Sequence, residues 1–203
     1  MAPAGKYVFI NCPFDNAYLP LFRASVFTVV RCGFVPRCAL EIVDGAATRI
    51  SKIERLIEEC PLGIHDISRT ELDEVSGLPR FNMPLEHGLF LGARRFGDAV
   101  QRRKKCLVLD RERYRYQMFM SDISGQDIEP HGGEVGQVMN CVRTFLNSAK
   151  RGRPLPAGAA IAADYEAFTA VLPELCNRLR LDPAALEYRD FAWIVADYVS
   201  VRP

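Results

Sequence analysis

The stretch Tyr7-Val8-Phe9-Ile10-Asn11-Cys12-Pro13-Phe14-Asp15 carries the decision about the fold. Its first four residues are aromatic or β-branched, too few for a helix, and a proline closes the run. This predicts a buried strand followed by a polar loop. Leu19, Phe22, Val26, Val29 and Val30 then recur at helical spacing, Gly33 stops that helix, and Phe34 to Leu40 return as a second strand. Ile50, Ile53, Leu56 and Ile57 mark a second helix, and Leu62-Gly63-Ile64-His65-Asp66 a third strand. A helix follows from Asn82 to Phe96, and Cys106-Leu107-Val108-Leu109-Asp110 form a fourth strand. Val135, Val138, Met139, Val142, Phe145 and Leu146 make the strongest amphipathic pattern in the chain. Strands alternating with helices of this length predict βαβ units and a mostly parallel sheet with helices on both faces.

Residues 1–149 hold this α/β pattern. Lys150 to Gly158 is basic and rich in proline and glycine, and reads as a linker. Residues 159–203 read as a helical appendage packed on the same domain. Phe168, Val171, Leu172, Leu175 and Leu179 mark one helix, Asp182-Pro183 a helix start, and Phe191, Ile194, Val195 and Tyr198 a last helix.

The 203 residues are 49% hydrophobic and carry a net charge of +1, which excludes a disordered chain and a uniformly basic nucleic-acid binder. Seven dispersed cysteines without a C-x-x-C pair fit a reducing compartment and core packing, and with three scattered histidines they offer no zinc spacing. No apolar run is long enough to span a bilayer, because Arg23 and Arg31 interrupt the longest one. Met1 to Lys6 has no apolar signal core, so a cytoplasmic location is expected.

In a doubly wound sheet, ligands bind beyond the carboxyl ends of the strands where the strand order reverses. With the order 2-1-3-4, that point lies between the first and third strands. The loop from Asn11 to Tyr18, the segment Asp66-Ile67-Ser68-Arg69 and the helix start at Asn82-Met83-Pro84-Leu85-Glu86-His87-Gly88 then share one rim. Asn82 is placed to cap that helix and Pro84 fits its first turn, so Glu86 lies where the helix dipole favours a carboxylate. Such a carboxylate can stabilise or attack a sugar oxocarbenium ion, or serve only as the acid of a capping arrangement. His87 points about 100° away from Glu86 around the helix. His65 faces the side of its strand opposite Asp66, and either could supply a proton to a leaving base. Ser68-Arg69-Thr70-Glu71 also spells a capping box for a short helical turn.

Together these segments resemble the superfamily of nucleoside 2-deoxyribosyltransferase-like and TIR-like domains over Tyr7 to Leu146. Tyr7 to Asp15 is similar to its opening strand and loop, and Asn82 to Gly92 to its nucleophile-bearing helix. The resemblance implies a flavodoxin-like fold and cleavage of N-glycosidic bonds. It implies that Glu86 is the catalytic glutamate and Asp66 the acid that contacts the base. It further implies substrate contacts from Cys12, Pro13, Phe14 and Asp15, with Arg69 able to hold a phosphate and Asn82 standing near the family's second acid. NAD or a related nucleotide would be substrate or ligand, with no bound cofactor and no metal. A role as a bacterial defence or toxin effector is the biological expectation.

Two other functions fit the same residues. One is a nucleotide-sensing module without catalysis, which Asn82 in place of an acid favours. The other is a scaffold working by homotypic assembly, with residues 116–131 as lid or assembly surface. Residues 94–115 also contain nine basic residues against three acids, a local charge of +6, with Tyr114 and Tyr116 interleaved. Such a run is usually a solvated surface, with single-stranded nucleic acid as the alternative partner.

Overall fold

The structure is a computed structural model, and it describes residues 4–72, 77–150 and 152–201. Five parallel strands, β1 (Tyr7–Asn11), β2 (Val35–Arg37), β3 (Leu62–Asp66), β4 (Lys105–Asp110) and β5 (Ile128–Pro130), lie in the order β2-β1-β3-β4-β5. The helices are α1 (Leu19–Arg31), α2 (Arg49–Glu59), α3 (Asn82–Phe96), α4 (Val135–Ala149), α5 (Gly158–Leu179) and α6 (Tyr188–Ser200). This is the α/β, flavodoxin-like architecture with helices on both faces and a C-terminal helical appendage. No helix among the described residues is long and apolar enough to cross a membrane. The seven cysteines are free thiols, six of them buried.

Alternation along the strands divides the core. Val8, Ile10, Leu62, Ile64, Leu107 and Leu109 face α1 and α4, and Phe9 faces α2 and α3. Helix α1 is apolar nearly all round, as a helix covered on both sides must be. The sheet lies under one side, and Phe168, Leu172, Phe191, Ile194 and Val195 of α5 and α6 belong to the same core from outside. Ser25 and Thr28, buried within α1, donate to the Leu21 and Ala24 carbonyls, so they add no unpaired hydroxyl. Gly33, at φ 80°, closes α1: its N–H donates to Val30 O, and Phe34 N–H reaches Val29 O.

Several sequence expectations change. β2 is shorter than Phe34–Leu40, because Cys38 turns into a 3-10 turn. β5 was not expected: it has one apolar residue and ends in proline, which an edge strand tolerates. α5 begins at Gly158, ten residues before Phe168, and absorbs the end of the expected linker. That linker is held in place, with Leu155 buried and Arg143 donating to the Leu155 and Pro156 carbonyls. Asp182 caps only a 3-10 turn, and the last helix starts at Tyr188. Ser68 to Glu71 form no helical turn. Instead, Thr70 accepts from Arg115 and Glu71 from Arg111. Asn82 does not cap α3 either: the cap position is Phe81, without a side-chain bond, and Asn82 is an exposed first-turn residue.

Candidate functional site

The order reversal falls between β1 and β3, so the rim is built from the residues leaving these two strands. Asn11 ends β1 beside His65 in register. Its side-chain Nδ2 donates to Met83 O at 2.9 Å and lies 3.1 Å from His65 Nδ1. Because that amide nitrogen is the donor, His65 Nδ1 accepts and its proton sits on Nε2. One amide thus connects β1, β3 and the first turn of α3.

Glu86 is one turn further along α3. It is only 6% exposed, and burial pushes its carboxyl up to about 7 against a weak opposing pull from Arg49. It accepts no hydrogen bond from a described residue. On the other side of the sheet, Asp66 is fully buried and well held. Tyr18 donates its hydroxyl to Asp66 Oδ2, and Ser68 N–H donates to Oδ1 at 2.8 Å. His131 Nε2, just past β5, lies 3.2 Å from Oδ2 but is poorly aligned for a hydrogen bond. Gly133 N–H donates to His131 Nδ1 at 2.9 Å.

Cys12 follows Asn11 at the end of β1. Desolvation first, then the charges of Asp66, Cys38, Glu86 and Asp15, raise its thiol pKa well above the usual range, so it is not a nucleophile at neutral pH. All three carboxyl groups are thus near enough to the end of β1 to act on this thiol. Asp15 Oδ2 meets Arg69 at 3.5 Å, which joins the first loop to the third. Both side chains are more than a third exposed, so the pair positions loops and adds little stability.

Pro13 and Phe14 turn away from this point. With Leu19, Phe22, Leu40 and Tyr188 they line a small adjoining cleft of about 70 Å³, to which α6 contributes Tyr188 and Phe191. Phe14 packs edge-on against Phe22 at 5.3 Å. The predicted residues thus form two neighbouring groups, Cys12, Asp66, Arg69 and Glu86 at the rim and Pro13 with Phe14 in the cleft, and Asp15 belongs to both, lining the cleft and meeting Arg69. Asn82 stands outside both, exposed on α3.

His65 and His87 are core residues. Both are completely buried, their rings 4.9 Å apart, and His65 also meets Phe90 edge-on at 4.8 Å. Gly63 makes room for this slab: a Cβ there would sit 2.6 Å from His65 Nε2 and 2.9 Å from Phe90. Burial lowers both imidazoles, His87 to about 4. Neither serves as a proton donor at the rim at neutral pH.

Sequence reasoning missed a lock at the end of β4. Arg115 donates through Nε and Nη2 to Asp110 Oδ1 at 2.9 and 2.6 Å, and also to Ser68 O and Thr70 Oγ1. Asp110 is fully buried, and desolvation pushes its carboxyl up despite Arg115. The only sequence signal was an acid at the end of an apolar strand. Its arginine partner was hidden within the basic run. Tyr18 and His131 were likewise invisible as partners of Asp66, since 48 and 65 residues separate them from it in sequence.

Among the described residues no cluster of His, Cys, Asp and Glu is arranged to hold a metal. Compared with family models, curated proteins and solved structures, the chain finds no match.

Proposed function

We propose that this chain cleaves the N-glycosidic bond of a nucleotide, NAD or a related one, with Glu86 as the catalytic carboxylate. The observation that carries the reading is Glu86 itself: a carboxyl group buried at the rim, without a hydrogen-bond donor among the described residues, and raised by desolvation to about 7. A structural carboxylate in such a place would ordinarily have a partner. A group whose carboxyl titrates near the working pH suits proton transfer and the stabilisation of developing positive charge.

A pyridinium nucleotide fits this single carboxylate. The C1′–N bond breaks heterolytically, the electron pair leaves with the ring nitrogen, and the base departs neutral without needing an acid. Positive charge grows on C1′ and O4′ facing Glu86, and the cationic substrate itself draws Glu86 into its ionised form. Water then adds to C1′ and its proton passes to the Glu86 carboxylate. Asp66, already held by Tyr18 and Ser68, positions the rim, and Arg69 is the candidate for a substrate phosphate. The resemblance extends the proposal to a bacterial defence or toxin effector.

The test is release of free base from NAD, followed by chromatography, for the wild type and Glu86→Gln. Loss of about 100-fold or more in the variant is expected, in the range of acid–base contributions. Equal turnover by the two proteins removes Glu86 from the mechanism. One observation favours a second reading, a nucleotide-binding module without catalysis: Asp66 is closed off by its partners and leaves no second proton donor at the rim. That reading predicts thermal stabilisation by nucleotide with no base released.

A further inference from the structure

The basic run at residues 94–115 is not one surface. β4 divides it, and its six residues carry the chain about 17 Å from the amino edge of the sheet to the carboxyl edge. Arg111 and Arg115 emerge at the carboxyl edge and bind Glu71 and Asp110. Tyr116 is buried there, and Tyr114 is exposed with its own neighbour Arg113 over its ring. In that half the charges of Arg111 and Arg115 are paired within the chain.

The other half, residues 94–105, gathers at the amino edge, where α3 ends and β4 begins. Lys104 is also committed: it is buried, donates to the Ile57 and Cys60 carbonyls at the end of α2, and lies 5.0 Å from the Phe90 ring centre. Arg94, Arg95, Arg102, Arg103 and Lys105 remain exposed. Arg102 uses its Nε on Gly97 O at 3.0 Å, and none of the five meets an acidic side chain at ion-pair distance among the described residues. The nearby acids do not neutralise them. The Asp98 carboxylate caps the following turn through Val100 and Gln101 N–H, and Glu58 stands across on α2.

Within this cationic field lies an open cleft of about 840 Å³, walled by Leu91, Arg94, Arg95, Phe96 and Arg102. Phe96 is 84% exposed, a rare position for a phenylalanine that nothing covers. We propose that this cleft binds single-stranded nucleic acid, with the arginines on successive phosphates and a base stacked on Phe96. Arginines flanking one exposed ring are the elements of a single-strand groove. A second copy of the chain is disfavoured, because two such faces would bring like charges together. An anionic membrane would meet the same charges, and the experiment below separates it from a single strand. The site lies about 15 Å along α3 from Glu86 and is independent of the catalytic proposal.

The experiment is fluorescence anisotropy of the full chain with a labelled single-stranded oligothymidylate of about 12 nucleotides. With about four phosphate contacts, the logarithm of affinity should fall against that of salt with a slope of about −3, roughly 50-fold between about 50 and 200 mM. Arg94→Glu with Arg95→Glu should abolish binding. Phe96→Ala should weaken the single strand at least about fivefold and leave a duplex of the same length nearly unchanged. Absence of binding at low salt overturns the proposal, and so does an unchanged affinity in Phe96→Ala. Capture by phosphatidylserine vesicles without oligonucleotide binding overturns it in favour of a membrane. All three side chains are on the surface, so the variants keep the fold.

Discussion

The Asn11 side chain donates to the Met83 carbonyl at 2.9 Å, and so ties the end of β1 to the first turn of α3. Among the described residues, the same amide is the only hydrogen-bond partner of the buried His65 ring. Asn11→Leu should therefore leave one imidazole nitrogen buried and unpaired, at about 1–3 kcal/mol, while the Met83 carbonyl keeps its place in the α3 ladder. Urea unfolding is expected to show the loss as a lower midpoint with an unchanged slope. A loss under about 0.5 kcal/mol would mean that the tie is not structural.

Glu86 should make stability depend on pH with a definite sign. Its folded-state pKa, about 7, lies above the ordinary 4.5. Below 4.5 both states hold the proton. Between 4.5 and 7 the unfolded chain ionises and the folded one resists, so stability falls as pH rises and then levels off. Glu86→Gln is expected to be more stable than wild type above pH 7, by up to about 3 kcal/mol, with no advantage at pH 4. Thermal unfolding of both proteins across this range measures it, and parallel curves would deny the burial cost.

His87 acts in the opposite sense. Its pKa is depressed to about 4 from 6.5, so its neutral form is the folded one. Above 6.5 neither state is charged. As pH falls from 6.5 to 4 the unfolded chain takes up the proton and stability drops. Neither His87 ring nitrogen has a partner among the described residues, so His87→Leu removes no bond to them. It should match or exceed the wild type at pH 7 and flatten the acid limb, by about 3 kcal/mol at pH 4.

Arg115→Lys should behave as a severe change despite conserved charge. The guanidinium reaches Asp110, Ser68 and Thr70 at once, and a lysine cannot repeat that fork. With Asp110 fully buried, losing the pair costs about 3–5 kcal/mol. The double variant Arg115→Leu with Asp110→Leu should recover part of that loss. Chemical denaturation of the three proteins decides, and equal stability of Arg115→Lys and wild type would show that the lock is redundant.

The elements that sequence foretold best were those whose own burial writes a local pattern. β1 and β4 are covered on both faces and read as unbroken apolar runs, and α3 runs over Asn82–Phe96, the expected range. β5 was illegible because an edge strand needs neither apolar face nor a full set of N–H donors, and Ile128-Glu129-Pro130 has neither. The start of α5 was hidden because Gly158 to Ala163 hold a single large side chain, Ile161, and one residue shows no periodicity. At the rim, the positions of Glu86, Asp66 and Asp15 followed from strand order. Tyr18, His131 and Arg115 did not, because each acts on a group far away in the chain.

Sequence alone therefore determined the alternation of strands and helices, the parallel sheet and the rim at which its loops meet, because periodicity and turn chemistry are local. Tertiary structure decided which charges count. It buried Glu86 without a donor among the described residues, closed Asp66 behind Tyr18, sent His65 and His87 into the core, and split one basic run into an internal lock and an open cleft. Burial and partnership are properties of surfaces brought together from distant residues, and they set the desolvation that raises one carboxyl group and the hydrogen bonds that hold another.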